Sequence, residues 1–292
     1  VAGRRLRVGR IGYLNVLPIY YPLEQGTIKH DFSFVYGSPA ELNELIKTGR
    51  LDISVVSSIE YALRSDRYLI LPDLSISCRG HVKSVLLFSR YEIHQLDRSP
   101  IHVTPQSHAS VALLKILTRN AFGLECTFVK SLRPLWQTGA GGLSSEKLPE
   151  SYLAIGDEAL YWWKKNIYPR VYDLGKLWWD WTGLPFVFAL WVCRREIAEK
   201  RADEIERSVA VFHEAKRWGW LNRVKIVRES AMTTFLTESD LHSYFDQLHY
   251  DLDEEQIGGL RHYFALLNEN GLISSNPEIE IFSQGREACI CT

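Results

Sequence analysis

The feature that most constrains this chain is the exchange of two hydrophobic periods along its first two-thirds. Short β-rich runs at Leu6–Ile11, Phe32–Tyr36, Leu51–Val56 and Val82–Phe88 are separated by stretches whose apolar residues recur at helical spacing. The clearest helix start is Ser38-Pro39-Ala40-Glu41, a capping box with proline at the first helical position, followed by Leu42, Leu45 and Ile46 on one face. Phe32 to Val56 therefore reads as a βαβ unit. A second series follows, with strands predicted at Ile101–Val103, Thr127–Val129, Tyr152–Ile155 and Val171–Asp173 and a helix from about His108 to Thr118. A chain that keeps alternating strand and helix in this way is driven towards α/β layers.

After Phe186–Cys193 the texture changes. Ile197, Ile205, Val209 and Phe212 recur at helical spacing in a charged background, as do Ile257, Leu260, Phe264 and Leu267, and Asp253 to Gln256 reads as a second capping box. Two α/β lobes account for this order. Residues 1–92 plus 186–292 form the predicted discontinuous lobe carrying the C-terminal helices, and 93–185 the inserted one. The chain would cross near Ser89–Pro100 and Leu174–Phe186. Such open sheets bind ligands at the carboxyl ends of strands and in the cleft between lobes, where helix N-termini point.

Charge narrows the ligand classes. With 34 Lys+Arg against 35 Asp+Glu interleaved along 292 residues, the chain has no basic footprint for nucleic acid, so an anionic ligand must be met locally. The longest apolar stretch, Leu184–Cys193, is too short for a bilayer helix and suits a buried strand. Val1 to Arg7 runs straight into a strand-like pattern without an apolar signal core, and the five cysteines are odd in number and scattered. A cytoplasmic protein with reduced thiols is the expectation. Thr138–Glu146 reads as a Gly/Ser-rich loop, Cys289-Ile290-Cys291 as a loose tail rather than a metal site, and the tryptophans near 162 and 178–181 as core. Zinc, Walker, dinucleotide and nucleophile-elbow motifs are absent from the sequence.

Loops after strands are the places to look for chemistry. Asn15 sits in the otherwise apolar turn Gly12–Pro18, where its amide either orients a substrate hydroxyl or carboxylate or closes an Asx turn. Ser57 or Ser58 either caps the next helix or presents its N–H groups to an anion. Alternation along Val82–Phe88 puts Ser84 with the buried side chains, where it needs a polar partner, and a ligand is one candidate. Thr104–Ser110 leads into a helix and is the best anion cradle, unless Ser107 is an ordinary N-cap. At a further strand-to-helix junction Gly156 allows close approach and Asp157 can cap.

Taken together, Tyr-Leu-Asn-x-Leu-Pro at 13–18, Val-Ser-Ser-Ile-Glu-Tyr at 56–61, Ser-Val-Leu-Leu-Phe-Ser at 84–89, Ile-Gly-Asp at 155–157 and Asp-Leu-Gly with Trp-Thr-Gly-Leu-Pro-Phe-Val-Phe-Ala within 173–189 resemble the chorismate dehydratases of the futalosine route to menaquinone. The blocks run in the family's order through most of residues 6–195, and the helical third is less diagnostic. The resemblance implies a two-lobed fold like that of type II periplasmic binding proteins, a cytoplasmic enzyme without cofactor or metal, and conversion of chorismate to 3-[(1-carboxyvinyl)oxy]benzoate and water. It places the family's functional asparagine and serine on Asn15 and Ser84. Two departures bear on the shape of the cleft: His81 stands where relatives commonly have proline, and the insertion near 138–146 is longer.

The expected site follows. Ser107 and Ser110, with the N–H groups of His108 and Ala109 between them, hold a carboxylate, while Asn15 and Ser84 position the hydroxyl and enolpyruvyl arm. Ser57, Gly156 and Asp157 complete the substrate-binding candidates. No strong side-chain base stands out, which leaves a substrate carboxylate for that task. The naphthoate-forming enzyme of the same pathway and a non-catalytic solute-binding protein are the competing readings, because fold alone does not fix function.

Overall fold

The computed structural model describes residues 4–105, 108–137, 148–283 and 289–290. The strands are β1 (Leu6–Ile11), β2 (Phe32–Gly37), β3 (Ile53–Ser57), β4 (Tyr68–Cys78), β5 (Val85–Ser89), β6 (Pro100–Val103), β7 (Thr127–Lys130), β8 (Ser151–Ile155), β9 (Arg170–Asp173), β10 (Phe186–Arg194), β11 (Glu280–Ile281) and β12 (Cys289–Ile290). Between them run helices α1 (Leu17–Glu24), α2 (Pro39–Lys47), α3 (Ser58–Leu63), α4 (His108–Ile116), α5 (Gly156–Lys165) and α6 (Leu174–Thr182). Five more follow β10: α7 (Arg195–Lys200), α8 (Ala202–Leu221), α9 (Arg223–Thr233), α10 (Glu238–Phe245) and α11 (Glu254–Glu269).

Two sheets result, ordered β12-β11-β4-β10-β3-β1-β2 and β7-β6-β8-β5-β9. In the first, β1 pairs parallel with both β2 and β3, as crossover helices α1 and α2 require, and β10 returns antiparallel between β3 and β4. In the second, β6 is parallel to β7 and β8, and β5 runs antiparallel to β8 and β9. Period-2 alternation divides the core there. Leu87 and Leu153 face the main cluster, whereas Leu86, Phe88, Tyr152 and Ala154 join Trp162 in a second one on the other face.

Both expected capping boxes form: the Ser38 amide donates to Glu41 Oε2 at 2.8 Å ahead of α2, and Asp253 Oδ1 accepts from the Glu255 and Gln256 amides ahead of α11. Two expectations need correction, and one strand, β4, was not expected at all. The long strand β4 carries no clean alternation because Pro72 and Asp73 interrupt it. Its register against β10 slips between Leu190↔Ser75 and Val192↔Ile70, and Asp73 takes a φ of 52° in that bulge. The strand expected from Val82 begins only at Val85, because the Asp173 carboxylate takes the Val82 and Lys83 amides and Lys83 lies at φ 60°. As β5 pairs in the second sheet, the first crossing falls at residues 79–84, ahead of β5 instead of after it. Secondly, the backbone of Cys289–Ile290 pairs with β11 at the edge of the first sheet, where a loose tail was expected. The 138–146 loop lies outside the described residues.

Candidate functional site

A cavity of about 890 Å³, including its open mouth, lies between the two sheets. The first sheet contributes Ile11 at the end of β1 and Val55–Ser57 at the end of β3; the second contributes Ile155 at the end of β8 and Pro105 just past β6. These are carboxyl ends of parallel strands, where the strand-to-helix junctions gather free N–H groups.

Asn15 reaches the cavity from a single helical turn, Leu14–Val16, that follows β1. Its Oδ1 is enclosed and accepts no hydrogen bond, so the Asx-turn alternative does not form. The turn is clamped from both sides. Tyr250 donates to the Asn15 carbonyl at 2.7 Å, and the Leu14 amide donates to Asp157 Oδ1 at 3.3 Å across the cleft. Tyr13, also on the cavity wall, packs on Gly156, which adopts a φ of +56°; a β-carbon there would stand 3.0 Å from the tyrosine ring. Burial, with Asp157 and Glu158 nearby, pushes the Tyr13 hydroxyl far above its ordinary pKa, so it keeps its proton at neutral pH.

Ser84 is 3% exposed and lines the same cavity from the other lobe. Its carbonyl accepts from the Gly156 amide at 2.7 Å, tying it to the start of α5. Its position is set by Asp173, which caps α6. That carboxylate accepts from the amides of Val82 at 3.0 Å, Lys83 at 2.7 Å and Lys176 at 3.1 Å, and His81 Nδ1 lies 3.4 Å away. Gly175 is required beside it, since a β-carbon there would meet Cys78 Sγ at 2.6 Å and the Gly80 carbonyl at 2.7 Å. The buried Tyr244 hydroxyl, raised by desolvation, sits beside Ser84, which offsets part of that rise.

Other sequence-derived candidates divide. His108, Ala109 and Ser110 bring the N-terminus of α4 to the cavity, with Ser110 buried and His108 exposed. Ser107 lies outside the described residues. Ser57 lines the cavity while its hydroxyl accepts from the Glu60 amide at 3.3 Å, so the capping reading describes its side chain. Asp157 does not line the cavity; it acts on the Asn15 turn from behind, and burial raises it to about 6 against the opposing pull of the Leu14 amide and Arg10. Asn43 on α2 and Tyr13 were missed by sequence reasoning. The i, i+3 spacing of Ala40 and Asn43 would have put an amide on one helix face, though nothing in it points to a cleft. Tyr244 and Tyr250 had no signal at all, because their contacts span well over a hundred residues.

Among the described residues no helix is long and apolar enough to cross a membrane. The fold is that of periplasmic binding proteins. A protein of Archaeoglobus fulgidus superposes with a TM-score of 0.74 at 18% identity, covering 94% of this chain and 100% of that one. The periplasmic aliphatic sulphonate binding protein of Escherichia coli gives 0.65 at 17%, covering 98% and 96%. In sequence, the chorismate dehydratase of Thermus thermophilus is 32% identical over 271 residues, 87% of this chain and 92% of the relative. The 1,4-dihydroxy-6-naphtoate synthase of the same organism is 24% identical over 280 residues, 93% and 97% of the two chains. The family model for menaquinone biosynthesis matches residues 6–269, and with that match over most of its length the chain belongs to the menaquinone biosynthesis family.

Proposed function

We propose that this chain is a chorismate dehydratase, a hydro-lyase that converts chorismate to 3-[(1-carboxyvinyl)oxy]benzoate and water in the futalosine route to menaquinone. The observation that carries this reading is that Asn15 and Ser84, the two positions marked by the family blocks, come from opposite lobes to one cavity. The identity to the Thermus thermophilus dehydratase supports it, and the naphtoate synthase is the more distant of the two relatives.

The chemistry asks little of the protein beyond orientation. The C3–H and C4–O bonds break, the proton and hydroxide leave as water, and the new double bond completes an aromatic ring. Holding the ring so that both bonds align with the π-system lowers the barrier by positioning. In this assignment Asn15 and Ser84 orient the C4 hydroxyl and the enolpyruvyl arm, and the first turn of α4 receives a carboxylate on its N–H groups. Tyr13, held protonated, serves as a donor. The C3 proton passes to a carboxylate of the substrate itself. A primary isotope effect at C3 that persists when His108 is changed to alanine supports that acceptor; loss of turnover in the same variant transfers the task to the imidazole.

Incubation of the purified protein with chorismate and no added metal or cofactor, followed by proton NMR, tests the function. A meta-substituted aromatic ring with its vinyl protons intact is the expected product. Unchanged chorismate from a folded protein overturns the reading and directs attention to the naphtoate-forming substrate. We place the enzyme in the cytoplasm, consistent with the free thiols of Cys78, Cys126 and Cys193, and fractionation of cells that express it tests this.

A further inference from the structure

The cavity contains a mismatch of charge. Chorismate is a dianion, yet among the described residues no lysine or arginine lines the cavity. Two carboxylates entering such a space need hydrogen-bond donors in place of cations, because an unpaired charge in a poorly solvated site is expensive. One set is the first turn of α4, already assigned to a carboxylate above. The rest of the polar lining is largely engaged. Ser57 caps α3, Ser84 is held beside Tyr244 with its hydroxyl 3.4 Å from the Val82 carbonyl, and Asn15 is given to the reacting hydroxyl and arm.

With Tyr13 and His108 already given roles above, Asn43 is the remaining polar side chain of the lining. It projects from α2 on the face shared with Pro39 and Ala40, both on the cavity wall. Its carboxamide oxygen is enclosed without a donor. α2 itself is fixed by the Ser38–Glu41 capping box at one end and by buried Leu42 and Ile46 beneath, so the side chain is presented from a rigid element. An enclosed carboxamide oxygen that no protein donor meets marks a side chain stability does not explain; a carboxylate cannot meet that oxygen either, so what an anion in the cavity can use is the Nδ2 of the same group.

The geometry points to Asn43 as a further substrate-binding residue, its Nδ2 donating to a carboxylate of the dianion on the wall formed by α2. This rests on the chorismate reading and extends it. A neutral donor there also selects against ligands that lack the matching carboxylate, without the over-tight hold on product that a buried arginine would give.

Asn43→Asp and Asn43→Leu test it, each first checked for an unchanged melting temperature, with KM for chorismate and the inhibition constant of the aromatic product both measured. Leucine removes the donor, and both constants should rise together by roughly ten-fold or more, the scale of a lost hydrogen bond to a charged group. Aspartate is isosteric but sets a like charge against the carboxylate, and should be worse than leucine, while kcat stays within about three-fold. Aspartate that binds as tightly as the wild type overturns the proposal. So does a loss confined to chorismate, because the product has both carboxylates but no hydroxyl, and that pattern would make Asn43 an acceptor for the hydroxyl. Wild-type protein that leaves chorismate unchanged overturns the function and this role together, whereas wild-type turnover with an indifferent Asn43 overturns only the latter.

Discussion

The Leu14 amide and the Asp157 carboxylate meet at 3.3 Å across the cleft, joining the turn after β1 to the first turn of α5. The contact links the two sheets one residue away from Asn15. It is also a titratable link, since burial raises Asp157 to about 6.

An acid whose folded-state pKa lies above its ordinary value binds its proton more tightly when folded. Asp157 therefore works against stability as pH rises from about 4 through 6, the reverse of a salt-bridged carboxylate. The ionised form is nonetheless the better acceptor for the Leu14 amide. Below about pH 6 that amide faces a protonated acid, and KM for chorismate should rise in the wild type. Asp157→Asn should flatten both profiles over this window while raising the melting temperature at pH 7. A variant that keeps the wild-type inflection assigns it to another group.

Asp173 acts on Ser84 without touching the cavity. Its carboxylate gathers the Val82 and Lys83 amides and stabilises the left-handed Lys83 that turns Ser84 inward. Asp173→Asn should lower kcat/KM on the order of ten-fold, with some loss of stability from weakened hydrogen bonds to a charged group. The decisive comparison is a double-mutant cycle. In a Ser84→Ala background the same change should cost turnover less than about two-fold while lowering the melting temperature as before. Equal losses in both backgrounds would make Asp173 a structural residue only.

Gly156 is constrained twice, by its φ of +56° and by the Tyr13 ring against its α-carbon. Alanine must accept a backbone region that L-residues enter at about 1–2 kcal/mol and also displace Tyr13. We expect Gly156→Ala to destabilise the fold by about that amount or somewhat more, and to reduce turnover beyond what the fraction folded explains. Denaturant unfolding beside steady-state kinetics separates the two effects.

The parts legible in the sequence were those written in local patterns. Period-2 runs and capping boxes located β1, β2 and α2, and an isolated asparagine and serine beside strands drew attention to Asn15 and Ser84. What escaped depends on residues far apart. β4 was hidden because Pro72 and Asp73 interrupt its pattern, and the first crossing was misplaced because β5 pairs in the second sheet with β8 and β9, strands some sixty to ninety residues on. Asn43 was passed over because a polar residue on a capped helix reads as solvent-facing until the cavity it lines is known. Tyr250 belongs to the same class.

Tyr250 is buried and donates to the backbone carbonyl of Asn15, so its contact survives any change of the Asn15 side chain. This separates two roles that single substitutions would confuse. Asn15→Ala should reduce turnover by orders of magnitude and leave stability within about 1 kcal/mol, the usual scale of a single substitution. Tyr250→Phe leaves the carbonyl without its donor, which costs about 1–3 kcal/mol whichever side chain residue 15 carries. Its effect on turnover, however, runs through the placement of the Asn15 amide. In the double variant the stability losses should add, and the activity loss should not exceed that of Asn15→Ala. Additive activity losses would mean that Tyr250 contacts the substrate independently, and unfolding of Asn15→Ala would return the asparagine to a structural role.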